Sequence, residues 1–509
     1  MKRSEGATGS DRTRAVSKET VERPGGDSNL RRRRSPASQF ALVLVGSRQT
    51  PQRIGEVLLL PSRKPFVVGR FDPEALVPGE EWAIPVRQRP GATETVGPLE
   101  LPDHVSRRQL RLLAERDGVR VVVEGKAGVR VDDEMPLPAG EDTLIQPGTT
   151  ISIEDELCLF LTTRPPTLPP VRARQVEEWS AFGFGEADVN GMVGESPAIW
   201  SLRDRLAFVA GMSQHVLLVG PSGTGKEMAA AAVHRLSPRA GKALVAHSAA
   251  DIPPTLLEAE LFGNRADYPQ AGMPPRAGLI ATAHGSTLFL DELGTLPVDL
   301  QARLLRVLDE GGRFRRLGSD EPQVADFRLV TATNQPPELI KHDLRARLEH
   351  LVEIPSLNER REDIPLVAQR LLLRMSERAA DRRQVERFWD RESRRFRISI
   401  ELIRALVRHD YSLNVRELEQ LLLASIFESE SEELERTSSV ESRLRLPQRS
   451  AERETTVEPA AIHAALDRED GNVAAAARRL GVSRFQLIRL MRKHGIVRSS
   501  PASDEADDE

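Results

Sequence analysis

A glycine-rich loop between an apolar run and an alanine-rich run constrains the fold of this chain more than any other feature. It reads Gly220-Pro-Ser-Gly-Thr-Gly-Lys226, follows Val216–Val219 and precedes Met228–His234. A strand, a glycine-rich turn and a helix in this order form a phosphate-binding loop. Its backbone N–H groups and helix N-terminus surround phosphate oxygens, and the lysine reaches the outer phosphates. The sequence therefore predicts a parallel α/β domain that binds ATP. The predicted nucleotide-binding residues of the loop are Gly220, Pro221, Ser222, Gly223, Thr224, Gly225, Lys226 and Glu227.

Two acidic residues, Asp291 and Glu292, end the apolar run Ser286-Thr-Leu-Phe-Leu. Most phosphate-binding loops place Ser or Thr after the lysine to hold Mg²⁺, but Glu227 stands there, so the ion must depend on phosphates, water and other acids. We expect Asp291 to bind Mg²⁺ through water and Glu292 to polarise the attacking water. The alternative for such a pair is a solvated turn.

A second apolar run, Phe327-Arg-Leu-Val-Thr-Ala-Thr, ends in Asn334. An amide at the end of a neighbouring strand is placed to sense the γ-phosphate or to position the attacking water. The alternative is an asparagine that merely ends a strand.

Changes in composition divide the 509 residues, which are too many for one hydrophobic core, into several domains and linkers. Short β-type runs separated by Gly, Pro and Asp predict a β-sandwich before the phosphate-binding loop, and helical periodicities follow it. The predicted units are a disordered basic arm (1–37), a β-sandwich (38–164), a linker (165–190), an α/β ATPase subdomain (191–355), a helical lid (356–428), a linker (429–456), a short helical domain (457–498) and an acidic tail (499–509).

Composition limits the cellular setting more than the partners. Hydrophobic residues make up 39% and charged residues 29% of the chain, and no apolar run is long enough to span a bilayer. The single cysteine, Cys158, excludes an internal disulfide and fits the cytoplasm. A net charge of −4 does not identify a partner, since the charges are unevenly placed. The four arginines at 31–34 fit either a flexible tail or an arm that touches nucleic acid.

The middle of the chain resembles the AAA+ ATPase domain of the sigma-54-dependent transcription activators, from about Val193 to Ser425. Besides the loop and the acid pair, the matching motifs are Val193-Gly-Glu-Ser, His234-Arg-Leu-Ser-Pro-Arg, Leu256-Leu-Glu-Ala-Glu-Leu-Phe-Gly, Asn358-Glu-Arg-Arg-Glu-Asp-Ile-Pro and Asn414-Val-Arg-Glu-Leu-Glu.

This resemblance implies a ring, expected to be a hexamer, with ATP at the subunit interfaces. Glu227 is usual in the family. Arg416 matches a sensor arginine that faces the nucleotide in its own subunit. Lys341 and Arg347 match two arginines that reach across the interface; a lysine lacks the planar fork that spreads charge over a phosphoryl group.

The loop that contacts the sigma factor departs from the family pattern. Where the family has Gly-Ala-Phe-Thr-Gly-Ala, this chain has Asp267-Tyr-Pro-Gln-Ala-Gly272. Pro269 and Gln270 replace the central aromatic and threonine, Tyr268 offers a displaced aromatic, and proline stiffens the loop. Ser248 stands where the family has an Asn that restrains the catalytic Glu. The resemblance therefore predicts ATP binding more directly than remodelling of sigma-54 RNA polymerase.

The last ordered unit resembles the Fis-type helix-turn-helix, a DNA-binding domain. The matching segment runs from Gly471 to Gly495, with small alanines at a close helix crossing, a turn at Gly481 and an N-cap at Ser483. The polar face of the second helix would meet upstream DNA, and a dimer is expected. The alternative is a solvated basic helix in a plain bundle. The predicted DNA-binding residues are Arg484, Gln486, Arg489, Arg492 and Lys493.

The N-terminal sandwich resembles a forkhead-associated domain, which reads phosphothreonine. Arg70 in Val67-Val-Gly-Arg and the pair Ser106 and Arg107 match that family's phosphate-binding residues. An arginine pairs with phosphate through a charge-assisted fork, and a serine donates its hydroxyl. Gln109 and Ala127 stand where the family has His and Asn. The sandwich is therefore predicted to bind a phosphothreonine protein or peptide, or else only to pack on the ATPase.

These features predict a transcriptional regulator in which phosphothreonine acts on the sandwich, DNA anchors the chain and ATP turnover remodels sigma-54 polymerase. A second reading is a DNA-binding repressor or decoy that binds ATP without remodelling. A third is a phosphopeptide-responsive scaffold whose ring assembles but hydrolyses ATP poorly.

Overall fold

The structure is a computed structural model. It describes residues 38–61, 64–172, 182–253, 255–268, 270–379, 381–445 and 459–468, together with 479, 480, 487 and 491. Within these residues no helix is long and apolar enough to cross a membrane.

Two β-sheets form the N-terminal region. The seven-stranded sheet has the order β6-β5-β2-β1-β12-β11-β9, and the five-stranded sheet has the order β10-β8-β7-β3-β4. The strands are β1 (Gln39–Ser47), β2 (Val57–Leu60), β3 (Pro65–Val68), β4 (Glu81–Trp82), β5 (Val86–Arg89), β6 (Ala92–Thr95), β7 (Leu110–Ala114), β8 (Val119–Val123), β9 (Val129–Val131), β10 (Asp142–Ile145), β11 (Thr150–Ile153) and β12 (Leu157–Arg164).

Strand β1 is buried on both faces, because side chains that alternate along a strand point to opposite sides of the sheet. Leu42 and Leu44 belong to the core between the two sheets. Ala41, Val43 and Val45 belong to a second core that the sheet shares with helices from the C-terminal half of the chain. An unbroken apolar run thus serves two cores.

A parallel five-stranded sheet with the order β14-β15-β18-β13-β19 forms the centre of the ATPase base. Its elements, with a small antiparallel hairpin β16–β17, are α1 (Pro197–Ala210), β13 (Val216–Val219), α2 (Lys226–Arg235), β14 (Val245–Ser248), α3 (Leu257–Phe262), α4 (Leu279–Thr282), β15 (Thr287–Asp291), α5 (Val298–Asp309), β16 (Arg313–Arg315), β17 (Pro322–Val324), β18 (Arg328–Thr333), α6 (His342–Arg347) and β19 (His350–Glu353).

The lid is helical. Its elements are α7 (Ile364–Glu377), α8 (Arg382–Glu386), the short strands β20 (Trp389–Asp390) and β21 (Arg395–Phe396), α9 (Ile400–Arg408), α10 (Val415–Glu428) and α11 (Ser438–Arg445); α12 (Pro459–Arg468) follows later in the chain. Ser399 caps α9 by accepting a hydrogen bond from the Leu402 N–H. Together with the sandwich and the parallel sheet, these helices confirm the predicted multidomain fold class.

The sandwich packs directly on the lid. Ile400 and Ile403 of α9 share a core with Val43 and Cys158 of the seven-stranded sheet. At Gly46 a Cβ atom would lie 2.8 Å from the Ile400 side chain, so the glycine allows this close approach. The two domains therefore form one continuous hydrophobic unit.

Two segments predicted to be linkers contain packed residues. In the stretch predicted as 429–456, Leu434 and Val440 are fully buried in the lid core. In the stretch predicted as 165–190, Leu168 is buried and the ring of Phe182 stacks on Trp200 at 5.9 Å. Isolated apolar residues in polar or proline-rich sequence give no periodic signal, which is why the prediction missed this packing.

Candidate nucleotide-binding site

The glycine-rich loop connects β13 to α2 at the carboxyl end of the parallel sheet. Gly223 and Gly225 have φ values of 75° and 98°, a region that favours glycine. A Cβ on Gly223 would lie 2.1 Å from the Leu413 carbonyl oxygen of the lid. Glycine is thus required both for the turn and for the approach of the lid.

Lys226 begins α2 and is 8% exposed. Its ammonium group donates to the carbonyl oxygens of Gly220 at 3.0 Å and Pro221 at 3.1 Å, so its side chain folds back over the loop. Burial lowers the pKa of Lys226, and the carboxylates of Asp291 and Glu292 oppose that shift. A buried cation beside a loop of N–H groups suits an anionic ligand.

Asp291 ends β15, and Glu292 follows in a left-handed conformation with φ of 57°. The Glu292 N–H donates to Asp291 Oδ1 at 2.8 Å, which holds the two side chains in a fixed turn. Both residues line the same cavity as the glycine-rich loop. On β14, Ser248 is in register with Asp291.

The donor set around these acids decides what metal chemistry they suit. No group of three or more His, Cys, Asp or Glu side chains that could hold a metal occurs in the described residues. Carboxylate oxygens suit Mg²⁺, which usually keeps several waters and takes its remaining ligands from substrate phosphates. Asp291 therefore fits a Mg²⁺ ion that comes with the nucleotide.

The cavity has a volume of about 470 Å³ and lies between the ATPase base and the lid. Its phosphate end is formed by the glycine-rich loop and the acid pair. The rest of its lining is mostly apolar and suits a purine ring. The apolar lining residues are Met192, Val193, Ile199, Leu202, Met228, Ala229, Ile354, Val367, Leu371 and Val415.

The N-terminus of α10 joins the lid to the glycine-rich loop. Arg416 donates to Ser222 Oγ at 3.0 Å, Asn414 Nδ2 donates to the Ser222 carbonyl oxygen at 2.9 Å, and the Val415 N–H donates to the Gly223 carbonyl oxygen at 3.1 Å. Arg416 also lines the cavity. The structure thus brings Arg416 together with Lys226 and the acid pair.

Glu417 fixes the turn that makes these contacts. It accepts hydrogen bonds from the N–H groups of Ser412 and Leu413, at 2.8 and 2.9 Å, and is within 2.8 Å of His409 Nε2. Burial alone would raise the pKa of Glu417, but these hydrogen bonds outweigh it and lower the pKa to about 2. Glu417 is a supporting residue that the sequence analysis did not single out.

Three other predicted catalytic residues lie outside the lining of this cavity, as far as the described residues define it. Asn334 is exposed just after β18. The Lys341 N–H donates to Gln301 at 2.9 Å, and the half-exposed side chain of Arg347 pairs with Asp309 at 2.5 Å. A single chain therefore does not bring these three groups to its own glycine-rich loop, and their catalytic roles stay predictions.

Three arginines of the cavity wall were not predicted as site residues: Arg360, Arg370 and Arg374. Arg360 lies within the motif Asn358–Pro365, which the sequence analysis used only as a family landmark. The cluster of charged residues in this motif, directly before an apolar helix, could have indicated Arg360 as a site residue.

The predicted phosphate-binding residues of the sandwich meet in the loops at one end of strands β3 and β7 of the five-stranded sheet, a region we call the sandwich edge. Arg70 pairs with Asp103 at 3.0 Å, and Arg107 pairs with Asp72 at 2.8 Å. Ser106 Oγ accepts a hydrogen bond from the Lys126 N–H at 3.0 Å. The arginine side chains are 38% and 62% exposed, so solvent reaches both cations.

Gln109 holds the loops of this edge together from below. It is fully buried; its amide donates to the Ala127 carbonyl oxygen at 2.8 Å and accepts from the Ser106 N–H at 3.3 Å. A Cβ on Gly125 would lie 2.1 Å from its Oε1 atom. The residue that departs from the family pattern is therefore a structural link between two loops.

The loop predicted to contact the sigma factor folds back on the ATPase base. Asn264 is buried, and its amide donates to the carbonyl oxygens of Tyr268 at 3.2 Å and Pro274 at 3.1 Å. The Asp267 carboxylate accepts from the Gly272 N–H at 2.7 Å. The Tyr268 ring covers Gly318, where a Cβ would lie 2.5 Å from the ring. Pro269 lies outside the described residues.

The predicted DNA-binding side chains lie outside the described residues as well. Arg484, Gln486, Arg489, Arg492 and Lys493 all fall there.

Comparisons with known proteins agree with the nucleotide cavity and with the C-terminal motif. A family model described as the sigma-54 interaction domain matches residues 192–354. A second, described as bacterial regulatory protein, Fis family, matches residues 455–494.

Curated relatives are similar to this chain over more than half of its length. The transcriptional regulatory protein ZraR of Escherichia coli (strain K12) is 37% identical over 311 residues, which span 58% of this chain and 67% of that protein. ZraR of Salmonella typhi is 36% identical over 334 residues, spanning 63% and 73%. The Nif-specific regulatory protein of Klebsiella oxytoca is 37% identical over 274 residues, spanning 52% and 49%.

Proposed function

This chain belongs to the family of sigma-54-dependent transcription activators, and we propose that it uses ATP turnover to remodel sigma-54 RNA polymerase from upstream DNA. The observation that supports ATP turnover is the cavity in which Lys226, Asp291, Glu292 and Arg416 converge. A buried lysine, two carboxylates and a lid arginine around a glycine-rich loop are the groups that phosphoryl transfer to water requires.

In the proposed reaction Glu292 orients and polarises the attacking water, while Lys226 and the loop N–H groups bind the phosphates. Asp291 would hold the water shell of a Mg²⁺ ion, which would supply neutralisation of charge on the phosphate oxygens. Lys341 and Arg347 lie away from their own cavity and would serve that of a neighbour in a ring, which we take to be a hexamer. Asn334 would sense the γ-phosphate.

The Fis-type region supplies the proposed DNA contact. Its predicted basic residues would neutralise phosphates and reach base edges in the major groove. A dimer of such units would double the contact area that one short domain provides.

We also propose phosphothreonine control through the sandwich, because its contacts lead directly into the lid. Asp133, on the turn after β9, accepts from Arg404 at 3.1 Å and Arg408 at 2.7 Å, both on α9. Arg436 approaches the same carboxylate at 3.3 Å. A ligand at Arg70 would thus act on a domain that shares a core with the lid, and so on ring assembly. A sandwich used only for packing remains the alternative.

The second candidate function is a DNA-bound regulator that binds ATP without remodelling. The observation in its favour is the loop held by Asn264 and by the contact of Tyr268 with Gly318. A loop tied down in this way has to break these contacts before it can extend toward a partner.

The deciding experiment measures binding of purified sigma-54 to the full-length protein with ADP–aluminium fluoride, which mimics the transition state of hydrolysis. A stable complex, absent with ADP alone, supports remodelling. No complex, alongside normal nucleotide binding, would replace it with the DNA-bound regulator. A Tyr268→Ala variant that loses the complex while keeping nucleotide affinity would assign the contact to the loop.

A further inference from the structure

Arg360 is a buried cation in the wall of the nucleotide cavity. It is 6% exposed and lines the cavity together with Ile354 and Val367. Its Nε atom is enclosed by protein and has no hydrogen-bond partner. Across the part of the chain that the structure describes, no ion pair or hydrogen bond joins its guanidinium to another residue.

The nearby carboxylate of Asp363 is already engaged. It accepts hydrogen bonds from the N–H groups of Glu195 at 2.8 Å and Ser196 at 3.0 Å, and from the Ser196 hydroxyl at 2.6 Å. Asp363 therefore ties the start of α1 to the lid. Its charge acts on Arg360 through space and not through a hydrogen bond in the described residues. Burial lowers the pKa of Arg360, which reflects the cost of enclosing this charge.

A guanidinium has five N–H donors and no acceptor, and an enclosed donor without a partner is strongly unfavourable. In a native protein such a group calls for a partner, such as a ligand that supplies acceptors. The cavity that Arg360 lines is the space from which such acceptors can come.

The position of Arg360 indicates which part of the nucleotide it contacts. The positive charge of Arg203, in the middle of α1, acts on Arg360. The charges that act on Lys226 are instead those of Asp291, Glu292, Arg416 and Glu227, so Arg360 lies apart from the phosphate-binding groups. The part of a nucleotide that reaches Arg360 is therefore its base rather than its phosphates.

We propose that Arg360 reads the purine base by donating a hydrogen bond to one of its ring nitrogens. The acceptors of adenine are N1, N3 and N7, whereas its exocyclic amine is mainly a donor and cannot satisfy a guanidinium. This inference rests on the proposed nucleotide-binding function. It adds a specificity-determining residue just before α7, apart from the groups that act on the phosphates.

The test removes the atoms on both sides of the contact. Affinities for ADP and for 1-deaza-, 3-deaza- and 7-deaza-ADP are measured by calorimetry with the full-length wild type, Arg360→Met and Arg374→Met. ADP avoids hydrolysis, and Arg374 is a matched control because it also lines the cavity but is exposed.

We expect one deaza analogue to bind the wild type at least about tenfold more weakly than ADP, as for loss of a hydrogen bond to a charged group. That penalty should vanish in Arg360→Met and persist in Arg374→Met. Equal penalties in the wild type and Arg360→Met, or no penalty with any analogue, would overturn the proposal. If Arg360→Met does not fold, Arg360→Leu, which also lacks a donor, replaces it, and an unreduced penalty there has the same meaning. A wild type that binds no ADP would instead remove the nucleotide-binding function itself, and the inference with it.

Discussion

The nucleotide cavity and the loop edge of the sandwich are both proposed phosphate sites, but they are built differently. In the cavity, Lys226 is buried, donates to carbonyl oxygens of its own loop, and lies beside backbone N–H groups that glycine conformations hold in place. At the sandwich edge, Arg70 is partly exposed, Arg107 is exposed, and both are already paired with carboxylates. Only the first site has its cation in place before a phosphate arrives.

The two sites therefore differ in the free-energy cost of binding a phosphate. A preorganised site loses little conformational freedom when its ligand enters, whereas paired surface arginines must exchange one anion for another. The cavity is therefore expected to bind its phosphates strongly, and the sandwich to bind weakly and to respond to the charge of Asp72 and Asp103. The following predictions test this contrast.

The largest effect should come from Glu292→Gln, which removes the group that polarises water but keeps the size of the side chain. We expect steady-state ATP hydrolysis to fall by about 10²- to 10⁴-fold, with ATP affinity nearly unchanged. Hydrolysis assays and equilibrium binding on the same preparation check this. Undiminished hydrolysis would remove Glu292 from the mechanism.

The second-largest effect is expected on the free energy of unfolding, when the buried pair Arg164 and Glu362 between sandwich and lid is broken. Their side chains are 1% and 8% exposed and meet at 3.0 Å; burial raises the pKa of Glu362 and Arg164 opposes it. Arg164→Met should destabilise the protein by about 3–5 kcal/mol, because it leaves a buried carboxylate alone. Chemical denaturation should show that the double variant with Glu362→Met recovers much of the loss. No recovery would mean that Arg164 acts through packing alone.

Lys226→Met tests the preorganised cation. Loss of a hydrogen bond to a charged group predicts a decrease in ATP affinity of roughly 10- to 150-fold, since the loop N–H groups remain. Titration of a fluorescent ATP analogue measures it, with Lys242→Met as the control on an exposed lysine outside the cavity. Equal affinities for wild type and Lys226→Met would show that the backbone alone holds the phosphates.

The smallest changes in binding free energy are expected at the sandwich edge, because binding there is weak. Arg70→Ala should abolish measurable binding of phosphothreonine peptides, whose affinity is already low. Asp103→Asn should strengthen it by a few fold, because the competing carboxylate is gone while the exposed surface pair it breaks is worth little. Fluorescence anisotropy with a phosphorylated peptide library and its unphosphorylated counterpart measures both. Absence of binding by wild type and Asp103→Asn alike would leave the sandwich as a packing domain.

Local patterns were enough to predict the α/β domain and its phosphate-binding loop. The order of strand, glycine-rich turn and helix around Gly220–Lys226 depends on neighbours in sequence, and so does the strand that ends at Asp291. The linkers were predicted less well, because Leu434 and Val440 are buried in a lid core that includes α7 and α9, which are distant from them in sequence. The supporting contacts of Glu417 and Gln109 likewise join residues that no periodicity brings together.

The sequence by itself determined the class of each domain, the identity of the loop lysine and the acid pair, and the family, because short motifs carry the backbone conformations and charges that this chemistry needs. The tertiary structure alone decided that the sandwich shares a core with the lid and that Arg416 meets Ser222 while Arg347 lies outside the cavity. It also decided that Arg360 is enclosed without a partner. Burial and partner choice depend on segments that are distant in sequence, and only folding brings those segments together.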